Sequence, residues 1–133
     1  MATNDYGHLI TPSTDTKLCY VKTVNIDRTY TTPTIVAQLP RGSRILGLLL
    51  NGTASNASLT ATLSIGTTIN VNELVTSENV LTANGTVLLT TGPTQVGIVQ
   101  TAAITNIYVE YAETGTASTQ GSWQLSILYS LAD

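Results

Sequence analysis

ASLTATLSIG, residues 57–66, alternates without a break: Leu59, Ala61, Leu63 and Ile65 fall on one side, Ser58, Thr60, Thr62 and Ser64 on the other. GSWQLSILYSL, residues 121–131, does the same with Trp123, Leu125, Ile127, Tyr129 and Leu131. A period of two sends successive side chains to opposite faces, so each stretch predicts a strand with one buried face. Residues 104–112 repeat the pattern, with Ile107, Val109 and Tyr111 opposed to Asn106, Tyr108 and Glu110.

Working outward, residues 18–26 form a further strand with Leu18, Tyr20, Val24 and Ile26 on one face and Lys22 as the exception. Residues 27–34 carry Pro33 and predict a loop or bulged edge. A short strand at 35–39 runs into a turn at Pro40, Arg41, Gly42 and Ser43. Residues 44–51 are continuously apolar, which predicts a strand buried on both faces, and Asn51-Gly52 starts the turn after it. Val71, Leu74 and Val75 have helical spacing and allow one helical turn within 70–83. Asn84-Gly85 is a hairpin dipeptide before the apolar run 87–89. Gly92-Pro93 marks another turn, 96–100 a strand, and 113–120 a polar, flexible loop.

The sum is roughly eight strands with regular turn signals, the pattern of an all-β, antiparallel, jelly-roll-like β-sandwich. The last strand ends close to Asp133 and is expected in the middle of a sheet. Residues 1–16 are polar, contain Pro12 and show no period, so they read as an extended N-terminal arm on a single domain spanning 17–133.

Composition limits the partners. The chain of 133 residues is 42% hydrophobic but only 10% charged, against roughly 25% charged in an average soluble domain. Thr, Ser and Asn take the place of the charges, and β-branched Thr suits a pleated surface. So few charges point either to a surface that meets another protein or to a neutral surface facing water. Net charge is −3, and Lys17, Lys22, Arg28, Arg41 and Arg44 form no basic run, which argues against a nucleic-acid partner. The longest apolar run, 45–50, is far short of the about 20 residues of a membrane helix, and the N-terminus lacks the basic start and apolar centre of a secretory signal. Neither a membrane nor the secretory route is therefore expected.

Catalytic chemistry has little to work with. His8 is the only histidine and Cys19 the only cysteine, so no metal ligand set and no internal disulfide are expected; Cys19 reads as a small core residue. No G-x-S-x-G elbow orders a Ser-His-Asp site, and no Gly-rich phosphate loop opens a helix. A glycosidase pair would have to come from Asp15, Asp27, Glu73, Glu78, Glu110 and Glu113; Glu110 beside Tyr108 and Tyr111 reads as an outward strand position. Three Asn-x-Ser/Thr sequons begin at Asn51, Asn56 and Asn84, and turn geometry accounts for the two Asn-Gly pairs. Tyr108 is the exposed-aromatic candidate, whereas Trp123 and Tyr129 belong to the apolar face. No catalytic, cofactor or metal residue is assigned, and the chain is read as non-enzymatic.

The segment 38–66, QLPRGSRILGLLLNGTASNASLTATLSIG, carries a resemblance. Its Leu39-Pro40-Arg41-Gly42-x-Arg44 turn, apolar strand and closing Leu63-x-Ile65-Gly66 resemble small structural proteins of tailed bacteriophages, the head decoration or cement proteins. The alternation at 125–129 is similar to their last strand. The resemblance implies a β-sandwich or jelly roll, commonly a homotrimer, that binds the major capsid protein on the outer surface of the capsid and reinforces it, after synthesis in the host cytoplasm. Tyr6, His8, Leu9 and Ile10 of the arm, with Arg41 and Arg44 of the turn, are then the expected capsid or subunit contacts. A receptor- or glycan-binding module of a phage tail or fibre, built around Tyr108 and residues 113–120, is the alternative.

Overall fold

In a computed structural model, which describes residues 19–81, 87–89, 100 and 103–131, eight strands build two four-stranded antiparallel sheets. They are β1 (Cys19–Asp27), β2 (Thr34–Pro40), β3 (Ser43–Thr53), β4 (Thr60–Gly66), β5 (Val75–Asn79), β6 (Val87–Leu89), β7 (Ile104–Thr114) and β8 (Ser122–Leu131). One sheet has the order β1-β8-β3-β6 and the other β2-β7-β4-β5. The chain is thus one long hairpin, with β1 on β8, β2 on β7, β3 on β6 and β4 on β5, rolled up so that β8 also meets β3 and β7 also meets β4. That is a jelly roll. β8 lies inside its sheet, as expected of the closing strand.

The core is the inner face of each sheet. Ile45, Leu48, Leu50, Leu125 and Ile127 of one sheet meet Leu63, Ile65, Ile107 and Val109 of the other, all essentially buried. Each such side chain contributes about 1.5–3 kcal/mol by leaving water. Tyr111 and Trp123 close one end of this layer, with ring centroids 5.8 Å apart.

The strand at 44–51 is not buried on both faces. A β-bulge between Ile45 and Gly47 adds one residue to β3 opposite β8. Ser43 and Ile45 point inward before it, and Leu48 and Leu50 after it. The inward phase moves from odd to even positions. The unbroken apolar run is the trace of that shift, and it leaves Leu46 48% exposed.

Asn51-Gly52 is no turn either. Both residues sit inside β3, opposite Gln124 and Trp123. A Cβ on Gly52 would lie 2.1 Å from the Ser122 carbonyl oxygen and 2.6 Å from Trp123 Cα, so glycine serves close backbone approach here. Val71, Leu74 and Val75 are buried, but by a turn and the start of β5; Val71 takes a left-handed φ of 50°, which breaks any helical turn.

Three further positions depart from expectation. Leu59 precedes β4 and is 68% exposed, so the inward row starts at Ala61. Cys19 opens β1 at the sandwich rim and is exposed. Tyr129 and Leu131 are only half-buried, because β8 runs past the end of the core. Lys22 is explained: it points inward on edge strand β1, and its Nζ donates to the Gln38 carbonyl of β2 at 3.2 Å. A charge reaching across an open edge discourages another strand from adding there. The arm, the Asn84-Gly85 and Gly92-Pro93 turns and residues 96–99 of the strand expected at 96–100 lie outside the described residues, and Gln100 itself is not in a strand.

Candidate interaction surfaces

The β2–β3 turn is held from both sides. Gly42 takes a φ of 87°, where a side chain is strained. Ser43 Oγ donates to the Pro40 carbonyl at 2.6 Å, the Gly42 amide donates to the Gln100 carbonyl at 2.9 Å, and the Gln100 amide to the Ser43 carbonyl at 2.8 Å. Arg41 and Arg44 project from this turn, both exposed, and neither has an ion-pair partner among the described residues. Tyr6, His8, Leu9 and Ile10 lie outside the described residues, so the two arginines are the expected contacts whose surroundings can be described.

Arg44 stands on the outer face of the β1–β8–β3 layer, opposite Ser130. Next along this face come Val21, Leu128 and the bulge residue Leu46; Val21 is 60% exposed. The turn therefore borders an apolar patch with the Arg44 guanidinium at its rim. The sequence hides this patch, because the bulge turns Leu46 out of a run that reads as core.

Tyr108 is half-buried on the outer face of the other sheet, opposite exposed Ile35 of β2 and Gly66 of β4. Glu110 lies two residues on, opposite Ser64. On the same face Gln38 Nε2 donates to Asn106 Oδ1 at 3.0 Å, so these amides satisfy one another.

At the end of the sandwich away from the arginines, the loops are tied together. Asn56 Oδ1 accepts the Thr119 amide at 2.8 Å and the Gln120 amide at 3.1 Å. The Glu113 carboxylate accepts the Ser118 amide at 2.8 Å and its hydroxyl at 2.5 Å. The stretch expected as a flexible loop at 113–120 is thus fastened at both ends. The Ser118 hydroxyl and amide hold the Glu113 carboxyl below its ordinary range, and the Thr29 hydroxyl and amide do the same for Asp27. Burial pushes the Glu73 carboxyl up, but donors from the Thr68 hydroxyl and the Thr67 and Thr68 amides outweigh it and leave it lowered. All three carboxylates fasten loops rather than face one another. Among the described residues no group of three or more His, Cys, Asp or Glu could hold a metal ion, and no helix is long and apolar enough to cross a membrane.

Beside this end, a hollow of about 410 Å³ opens on the β1–β8–β3 sheet. Asn25, Gln124 and Asn51 line it and face one another in register on three adjacent strands. Asp27 and Tyr30 complete the part that bears chemistry. None of the three amide side chains hydrogen-bonds to another described residue. The buried Trp123 Nε1 has no acceptor among them either. The sequence hides this site, because Asn51-Gly52 has the form of a turn and only pairing register brings Asn51 beside Gln124 and Asn25.

No protein-family model matches the chain, and no curated protein matches it in sequence. Its fold is matched among solved structures. It is similar to a chain of the cyanophage Pam1 capsid asymmetric unit, with a TM-score of 0.70 at 23% identity over 86% of both chains. A chain in the capsid of Ralstonia phage GP4 matches with a TM-score of 0.70 at 16% identity, over 87% of this chain and 86% of that one. A third lies in the acidic stable capsid structure of Helicobacter pylori bacteriophage KHP30, with a TM-score of 0.63 at 15% identity, over 87% of this chain and 90% of that one. The jelly roll is shared almost end to end with all three.

Proposed function

We infer that this chain is a non-enzymatic structural protein of a tailed-phage virion, which binds the outer surface of the capsid and reinforces it. The observation that carries this reading is the nearly full-length match of its jelly roll to chains of three phage capsids, in which 86–90% of the partner chain is also covered. The matching chains are therefore single jelly rolls of about this size, as an accessory shell protein would be. The surface chemistry agrees: few charges, and an apolar patch rimmed by Arg44.

The partner in this reading is the major capsid protein. Arg41 and Arg44 with Val21, Leu46 and Leu128 make the docking face, while Tyr6, His8, Leu9 and Ile10 reach a neighbouring subunit. The protein acts as a homotrimer, so that weak contacts repeated over the shell add through multivalency. Synthesis takes place in the host cytoplasm.

The test is the copy number in purified particles, measured by quantitative mass spectrometry against the major capsid protein. A ratio of about one, or about a third, supports shell-wide decoration by a symmetric oligomer. A handful of copies moves the protein to the tail or fibre, and complete absence overturns the reading. Removing residues 2–14 should weaken binding to capsids and leave the fold intact; unchanged binding removes the arm from the interface.

A further inference from the structure

The hollow over β1, β8 and β3 has no role in the docking face described above. We propose that it binds a neutral carbohydrate, with the side-chain amides of Asn25, Gln124 and Asn51 as the hydrogen-bonding platform.

Register places the three residues abreast on neighbouring strands, which lie about 4.8 Å apart. That spacing is close to the separation of equatorial hydroxyls on alternate carbons of a pyranose ring. Each amide offers both donors and an acceptor, as a hydroxyl requires of its partner. Two polar pairs elsewhere on the outer faces satisfy each other, Gln38 with Asn106 at 3.0 Å and Thr23 with Ser126 at 3.4 Å. These three amides do not, although they are adjacent.

The remaining lining sets the ligand class. Asp27 is the one charged residue among the described lining of the hollow, and Thr29 keeps its carboxyl ionised. A carboxylate without a lining lysine or arginine repels phosphates and acidic sugars and accepts from neutral hydroxyls. Tyr30, half-buried against the core, lines the hollow and supplies an aromatic ring for the apolar face of a sugar. The volume falls within the range of small-ligand sites, and placement of the amides on strands lowers the ordering cost of binding.

The experiment is an NMR titration of the full chain with neutral oligosaccharides of glucose, galactose and N-acetylglucosamine, beside uronic-acid and sialylated counterparts. At least one neutral series should bind saturably and shift the amide resonances of Asn25, Asn51 and Gln124, with acidic counterparts weaker. Asn51→Ala and Gln124→Ala should each weaken binding about tenfold, as the loss of one hydrogen bond implies. Their melting temperatures should stay unchanged, and Gln38→Ala on the opposite face should bind like the parent. No saturable binding of any neutral series up to about 10 mM, shifts mapping elsewhere, or undiminished affinity in both variants overturns the proposal. So does tighter binding of an unrelated extended peptide at the same amides.

Discussion

The hydroxyls of Ser55 and Tyr111 meet at 2.6 Å inside the sandwich, joining the β3–β4 connection to the middle of β7. Ser55 Oγ also accepts the Ala57 amide at 3.2 Å. The bond therefore fixes a loop to the core at the end where Trp123 packs on the Tyr111 ring. Tyr111→Phe keeps the ring and removes the partner, which should cost about 1–2 kcal/mol. For a domain of this size that is a drop of about 4–7 °C in melting temperature. An unchanged melt would mean that the hydroxyl pair contributes nothing net.

Gly52→Ala should be more damaging than its one methyl suggests. The new Cβ would run into the backbone of Ser122 and Trp123, which cannot move aside as a flexible side chain can. Separating β3 from β8 disturbs the longest pairing in the fold, so a loss of about 2 kcal/mol or more is expected in urea unfolding. Gln120→Ala in the neighbouring exposed loop is the control and should cost less than half as much.

Acid stability follows from the three lowered carboxyls. Asp27, Glu73 and Glu113 each bind a proton less readily folded than unfolded. The unfolded chain therefore takes up more protons as pH falls, and the folded state loses the contribution of these groups on the way down. Unfolding free energy should be flat above about pH 5 and decline below it through the ordinary carboxylate range and further. Glu73→Gln and Glu113→Gln should each flatten that decline; an unaltered acid limb in both would assign the dependence to other groups.

Lys22→Val should leave the fold intact and raise self-association. The substitution puts an apolar β-former on edge strand β1 and removes the amino group that reaches Gln38. Sedimentation at increasing concentration should show species larger than those of the parent chain. Identical sedimentation would show that the edge is protected by other means.

Leu46→Glu tests the docking face. Leu46 is exposed, so the fold should survive, while a carboxylate within the patch beside Arg44 should reduce binding to capsids at least about tenfold. Full binding would remove this face from the capsid interface.

Much of the architecture was readable wherever alternation was unbroken. Ala61, Leu63 and Ile65, Ile107, Val109 and Tyr111, and Trp123, Leu125 and Ile127 all point inward as their spacing predicts. The misreadings share a cause, in that position in the sheet outweighed local pattern. A bulge made half-exposed β3 look fully buried. Gly52 met the dipeptide rule for a turn but is needed for close approach to β8. Cys19 and Leu59 have core chemistry but stand at strand starts, beyond the reach of the facing sheet. The amide row was hidden for a related reason: Asn25, Asn51 and Gln124 become neighbours only through strand pairing between segments far apart in the chain.

The pairing of β1 with β8 also decides when folding can happen. Emerging from a ribosome, β1 has no sheet neighbour until β8 has been made, because β8 is its only partner strand among the described residues. Native contacts are overwhelmingly distant in sequence, and such topologies fold slowly because loop closure must precede reward. The β1-β8-β3-β6 sheet is thus completed only once β8 has emerged. A chaperone that shields β1 during that interval should raise soluble yield more than one acting on the finished domain.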